Sequence, residues 1–284
     1  MRIFKFAKKS GPLFEQAVPI ALTVVVFCAL ATALFFSIRI LNFLPTGSPI
    51  SLHFRWRDAL VGAIIYFKTS VDFAILIGFL MRSNPGWKKR IAIELGTALG
   101  NGAGTILILS FWVIFKQLHF LLAIMILLSA LVLFELAESG MGHFSSWRFK
   151  LGLKSKLYNF LETILGGISK FIKPLTSKIL PDFSKTLKSD RGLKWWALLA
   201  FSLVTPFILG LDDFAGYVPL FSLFNVFGFA LGVMAAHMIL NIGLFANPEA
   251  TIKFFKNQWI SFAGTVAFMG LACWGLVEAV RIFI

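Results

Sequence analysis

From Ala17 to Ile38 the chain runs for 22 residues without a charged side chain. At 1.5 Å per residue, an α-helix of that length crosses a hydrocarbon layer roughly 30 Å thick. In such a layer every backbone N–H and C=O needs a partner inside the protein, and a helix supplies those partners within itself. Six further apolar runs follow, over approximately 58–81, 91–115, 119–138, 195–223, 224–245 and 258–283. The pattern predicts an all-α polytopic membrane protein of about seven transmembrane helices. Composition agrees, with 58% hydrophobic and 14% charged residues among 284, against about 45–50% and 25% in soluble domains. The first run is long and lacks a small-residue cleavage site, so it reads as a retained helix. Both cysteines, Cys28 and Cys273, lie in apolar runs, which excludes a disulfide scaffold and makes them packing residues.

A formal charge of +14 raises the question of a nucleic-acid partner. The position of the charges answers it. With a cytoplasmic N-terminus, 21 of the 27 basic residues fall inside, five (Arg39, Arg55, Arg57, Lys116, Arg281) fall outside, and Lys68 stays in the membrane. That asymmetry follows the positive-inside rule and predicts a multi-pass protein of the cytoplasmic (inner) membrane with an external C-terminus. Eleven of the inside charges crowd the segment between Glu138 and Trp195, where stretches such as SKLYNFLETILGGISKFI alternate apolar and basic positions at helical spacing. These read as amphipathic helix on anionic lipid. The charge is mostly topology, and no nucleic-acid partner is expected.

Beyond the first span, the sequence repeats itself. VDFA, with Asp72, answers to DDFA, with Asp213. GTALG from Gly96 answers to GFALG from Gly228, and Glu135 answers to Glu278. The offsets are 141, 132 and 143, the shortfall matching a basic turn (Arg82 to Arg90) with no counterpart in the second copy. Two copies of a three-span unit must lie in opposite orientations, a usual construction of secondary transporters. The expected organisation is therefore a first part over 1–57 (tail, first helix, external loop), a three-helix repeat over 58–138, a basic loop over 139–194, and an inverted three-helix repeat over 195–283. The stretch TPFILGLDDFAGYVP, opening at Thr205, brings prolines, glycines and two acids into one segment. It predicts either a packing kink or a locally unwound helix whose carbonyls and carboxylates hold a cation.

The candidate site residues are the polar groups left inside the spans. Asp72, Asp212 and Asp213 lead, because intramembrane acids are costly and usually face a bundle interior or an ion path. Lys68 lies four residues before Asp72 and would share its face on a continuous helix. Two readings stand: a structural ion pair, or a gate that releases Asp72 when a cation or proton arrives. Glu94 and Asn101, seven apart on the glycine-rich third span, share a face. His237 and Asn241, one turn apart on the sixth, form the polar pair of the second half, the histidine either ligating metal, taking a proton or hydrogen-bonding between helices. Glu135, Glu138 and Glu278 stand near span ends, where water reaches them. There is no HExxH, paired CxxC, phosphate-binding glycine loop or nucleophile elbow, so neither an enzyme nor a resident cofactor is expected.

Three stretches carry a family resemblance: SVDFAILIGFL around Asp72, KKRIAIELGTALGNGAG from Lys88, and LDDFAGYVPL around Asp212 and Asp213. Over about 58–283 the chain resembles TerC-type membrane proteins, within the wider group of LysE-type exporters and cadmium permeases. The resemblance implies inverted three-span repeats, export of a divalent metal such as manganese or of another small solute, and roles for Asp72, Asp212, Asp213 and Asn101 as the family's acidic and polar positions. This chain departs from the family's Asp-Asn pattern, with Phe73 after Asp72 and Asp-Asp in the second half. The leading expectation is a secondary transporter that exports a divalent cation in exchange for protons. The alternatives are a non-transporting scaffold that makes contact through its basic loop, and an integral membrane enzyme acting on lipid.

Overall fold

The computed structural model describes residues 13–44, 49–145, 194–209, 217–218, 220–221, 224–255 and 257–283. Of the basic loop expected over 139–194, residues 139–145 continue the helix that begins at His119, while 146–193, like the acids Asp212 and Asp213, lie outside the described residues. Within them, the regular structure is helical: α1 (Leu13–Leu41), α2 (Trp56–Thr69), α3 (Val71–Ser83), α4 (Trp87–Phe115), α5 (His119–Ser145), α6 (Trp195–Leu209), α7 (Val226–Ala246), α8 (Pro248–Phe255) and α9 (Gln258–Phe283).

Four of these contain stretches long and apolar enough to cross a membrane: Ala17–Leu41, Trp87–Phe115, Val226–Ala246 and Gly264–Phe283. The bent pair α2–α3 makes a fifth when taken as one broken span. Their outer faces carry exposed apolar side chains, among them Val24, Val25, Phe36 and Ile40 on α1, Leu60 and Ile64 on α2, and Val277 and Val280 on α9. Apolar surface of that extent fits lipid rather than water. The molecule is a helical membrane protein.

Local chemistry sets the helix ends. Gly86 adopts φ +104, a left-handed conformation that glycine takes without strain, and this turns the chain into α4. The Asn225 Oδ1 accepts the Gly228 N–H at 2.8 Å and caps α7, while the Asn247 Oδ1 accepts the Ala250 N–H at 3.0 Å and caps α8. Pro248 opens α8, where its missing N–H costs nothing. Two expected spans differ in detail. The second is not one helix but two, and the described part of the fifth runs only from Trp195 to Leu209, helix reappearing at 217–218 and 220–221. The short helix α8 was not expected at all.

Packing pairs the helices across the chain. α2 lies along α7, α6 along α4, and α5 along α9, while α1 rests on α4 and α7. Glycines set the two closest crossings. A Cβ on Gly62 would strike the Phe229 carbonyl, and one on Gly232 the Ala59 carbonyl. On α4, a Cβ on Gly96 would strike the Leu199 carbonyl, and one on Gly100 the Leu203 carbonyl. The repeated GTALG and GFALG motifs are thus the two crossing points, each with glycines four apart that let backbones touch. Gly228 faces the Arg55 carbonyl and Gly232 the Ala59 carbonyl, as Gly96 faces Leu199 and Gly100 Leu203, so α2 runs parallel to α7 and α4 parallel to α6.

Side-chain contacts also sort the connecting segments into two ends. At one end the Trp195 Nε1–H donates to the Lys88 carbonyl at 2.9 Å, and Arg82 pairs with Glu249 of α8 at 3.2 Å. At the other, Asn225 donates from Nδ2 to the Ser51 carbonyl at 2.9 Å and from its backbone N–H to buried Asp58 at 3.2 Å.

Filling the crossings would force the helices apart, at a cost of about 1–3 kcal/mol each for overpacking. Gly232→Val and Gly100→Val should each lower the thermal midpoint in detergent micelles by about 3–10 °C. Gly270→Ala, where a Cβ meets nothing within 4 Å, should leave the midpoint unchanged or raise it.

Candidate functional site

The second span breaks at Ser70, and the two helical pieces meet at 66°. No proline or glycine stands there. Instead the Thr69 hydroxyl lies 3.2 Å from both the Ile65 and the Tyr66 carbonyls, and the Ser70 N–H donates to the same Tyr66 carbonyl at 2.9 Å. Hydroxyls that bond back to the preceding turn compete with the helical ladder and bend it. The ladder resumes at once, the Ala74 N–H donating to the Ser70 carbonyl at 2.8 Å.

The break gives the expected Lys68–Asp72 pair a different setting. Four-residue stacking on one face presumes a continuous helix, and here the axis turns between the two residues. Lys68 stands in the last turn of α2 and Asp72 in the first turn of α3. The Lys68 charge there complements the C-terminal dipole of α2. The side chain of Asp72 lies outside the described set. That of Lys68 is half-buried, and its stem fills the space beside Gly264 of α9, where any Cβ would collide with it.

His237 of α7 roofs the break. Its ring packs on Tyr66 at 5.7 Å on one side and on Phe73 at 5.6 Å on the other. The Nδ1 lies 2.6 Å from the Tyr66 hydroxyl, and the Nε2 lies 3.2 Å from the Asn241 Nδ2. A neutral imidazole has one donor and one acceptor nitrogen. Either polarity satisfies the chain: Nδ1–H to tyrosine oxygen with the amide donating to Nε2, or tyrosine O–H to Nδ1 with Nε2–H to an amide oxygen. His237 and Asn241 are fully buried, and the Asn241 Oδ1 has no hydrogen-bond partner among the described residues. The break, the histidine and this open amide oxygen form a polar cluster of helix ends and side chains inside the bundle.

The remaining candidates sit elsewhere. Asn101 is buried on α4, its carbonyl taking the Thr105 hydroxyl at 2.9 Å. Glu94, two turns earlier on α4, faces α1, where it bonds with Thr23. The shared face expected of Glu94 and Asn101 thus does not join them in one site. Among the described residues, no group of three or more His, Cys, Asp or Glu side chains is placed to hold a metal ion. Comparison with family models, with curated proteins and with solved structures finds no match.

Sequence reasoning missed three buried polar residues. Tyr66 is one of only three tyrosines in the chain, and that scarcity in an apolar run was the available signal. Thr23 offered none. Asp58 lay at the expected span boundary, where water would solvate an acid; it is instead fully buried at the N-terminus of α7.

Tyr66→Phe removes the hydroxyl from the His237 Nδ1 and leaves a buried nitrogen unpaired, a loss of roughly 1–3 kcal/mol. Unfolding of the single variants, of His237→Phe and of the double variant should give strongly non-additive losses, because the two residues act as one chain.

Proposed function

We propose that the chain is a secondary transporter of seven spans, one N-terminal helix followed by two inverted three-helix repeats, and that it exports a small divalent cation of manganese type in exchange for protons. The observation that carries this reading is the broken second span roofed by His237 and Asn241. Discontinuous helices at repeat interfaces are where secondary transporters hold their cargo, and irregular backbone at membrane depth is tolerated only where it is buried in protein or lines a cavity.

The pairing of helices supports the repeats. Exchanging the halves (α2 for α6, α4 for α7, α5 for α9) turns the α2–α7 pair into α6–α4 and leaves α5–α9 unchanged. In the seven-span reading consecutive spans reverse, so α7 opposes α6, and α2, parallel to α7, then opposes α6 as inverted repeats require. Asymmetry in the basic residues supports a cytoplasmic N-terminus. The segments expected on that side (82–90, the start of α6, and α8) meet one another, as do those expected outside, around Ser51 and Asn225.

In this reading one repeat rocks against the other around the break. Asp72, Asp212, Asp213 and Asn101 provide the oxygens for the cation, and Lys68 holds or releases Asp72. Both nitrogens of His237 are engaged, so it acts as a positioning residue, while Asn241 offers its open oxygen. The TerC-type resemblance supports the divalent cargo. The basic loop over 146–193 faces anionic lipid.

The test is uptake of a divalent-metal panel into liposomes holding the purified chain, with and without a pH gradient. One metal should accumulate, and Asp213→Asn should cut its flux at least about tenfold, equivalent to about 1.4 kcal/mol. Flux unchanged by that substitution would remove the acids from the site. No flux for any metal would favour the scaffold reading.

A further inference from the structure

The contact between α1 and α4 contains a carboxyl group whose hydrogen bonds close in only one way. Glu94 is fully buried. Its Oε1 is bonded to the Thr23 hydroxyl, its Oε2 has no partner among the described residues, and the same Thr23 hydroxyl lies 3.0 Å from the Pro19 carbonyl. A hydroxyl has one hydrogen to give. If Glu94 were a carboxylate, two acceptor-only oxygens would compete for that hydrogen and a second charged oxygen would stay buried and bare, among the costliest arrangements a protein interior can hold. If Glu94 carries a proton, the chain runs Glu94 O–H to Thr23 oxygen, Thr23 O–H to Pro19 carbonyl, and every hydrogen has an acceptor. The bare Oε2 is then the carbonyl oxygen of a neutral acid.

The surrounding charges agree. Arg90 stands one turn earlier on α4, its Nε buried and without a hydrogen-bond partner, yet it makes no ion pair with Glu94 among the described residues. Such a pair would be expected of an ionised acid. On the elements packed against α4, the other described titratable groups are Cys28 and Arg39 on α1, Arg82 on α3, His119 on α5, Lys194 before α6 and His237 on α7. None is bonded to Glu94: Arg82 pairs with Glu249, and His237 with Tyr66 and Asn241.

We infer that Glu94 is a proton-binding site, built by the N-terminal helix against α4 and separate from the polar cluster at the Ser70 break. The neutral carboxylic acid donates to Thr23 in this conformation and gives its proton to water when α1 and α4 part there. That this proton is the one exchanged for cargo rests on the transporter reading; its presence on Glu94 does not.

Infrared spectroscopy on the full chain in phosphatidylcholine–phosphatidylglycerol vesicles at neutral pH reads the proton directly. The wild-type-minus-Glu94→Gln difference should contain a carboxylic-acid carbonyl band that moves in D₂O. Thr23→Val should shift that band, Thr23→Ser should keep it, and Glu249→Gln, at an exposed acid, should leave it alone. Carboxylate bands in the Glu94→Gln difference would overturn the inference. If Glu94→Gln fails to fold, Thr23→Val decides alone, and a carboxylic-acid region unmoved by it overturns the site. With the band established, alkalinisation of a pyranine-loaded lumen as metal enters and protons leave should fall at least about tenfold in Glu94→Gln and persist in Glu94→Asp. Undiminished alkalinisation in Glu94→Gln would overturn the coupling role, whereas a band without any flux in wild type would leave the proton site standing and defeat the transporter reading.

Discussion

Two helix crossings, where glycines bring one backbone against the carbonyls of its neighbour, anchor this fold. At Gly62 and Gly232, and again at Gly96 and Gly100, carbonyl oxygens of one helix sit where a neighbour's Cβ would be. In lipid there is no hydrophobic drive to bring helices together, because the tails are as apolar as leucine. Close approach has to supply the attraction, through dispersion and weak Cα–H···O contacts that operate only when the backbones nearly touch. Everything else depends on these spacings. The Tyr66 hydroxyl reaches the His237 Nδ1 because α2 lies so near α7, and the Trp195–Lys88 bond closes because α6 lies so near α4.

The polar interior shows how such a bundle handles groups it cannot solvate. Glu94 is tied to Thr23 and His237 to Tyr66 rather than to an opposite charge, while Asp58 accepts the Asn225 N–H and lies 3.7 Å from the exposed Arg57 guanidinium. Neutral hydrogen bonds avoid most of the desolvation that a buried ion pair incurs. Reversing the polarity of Tyr66–His237–Asn241 takes the other histidine tautomer, a turn of the tyrosine hydroxyl and a flip of the Asn241 amide, with no change in net charge.

Much of this was legible in the sequence, and the limits are physical. The long apolar runs marked α1, α4, α7 and α9 to within a few residues, because lipid leaves a spanning helix so little freedom of composition. The glycine repeats were visible as motifs, though not as crossings, since which backbone fills a glycine notch is decided by tertiary packing. The break at Ser70 was hidden. Ordinary reading looks for proline or glycine, and here a threonine hydroxyl bends the helix. Glu94 was read by its own helix, as a face-mate of Asn101, while its actual partner came from α1, seventy-one residues away in sequence. His237 and Asn241 were paired correctly by one-turn spacing, but the tyrosine that completes the chain had no local mark.

The partnership of α5 with α9 bears on how the molecule is made. The last helix of the first half has its most extensive contact with the last helix of the second, and little else in the bundle covers it. A ribosome delivers α5 to the bilayer well before α9 exists. During that interval the first half holds an unfinished surface toward lipid or toward an insertion chaperone. Likewise, Gly62 of α2 must wait for α7, and the notches of α4 must wait for α6. Neither half has a complete interface of its own, so assembly has to be a late event, completed when the final helix enters.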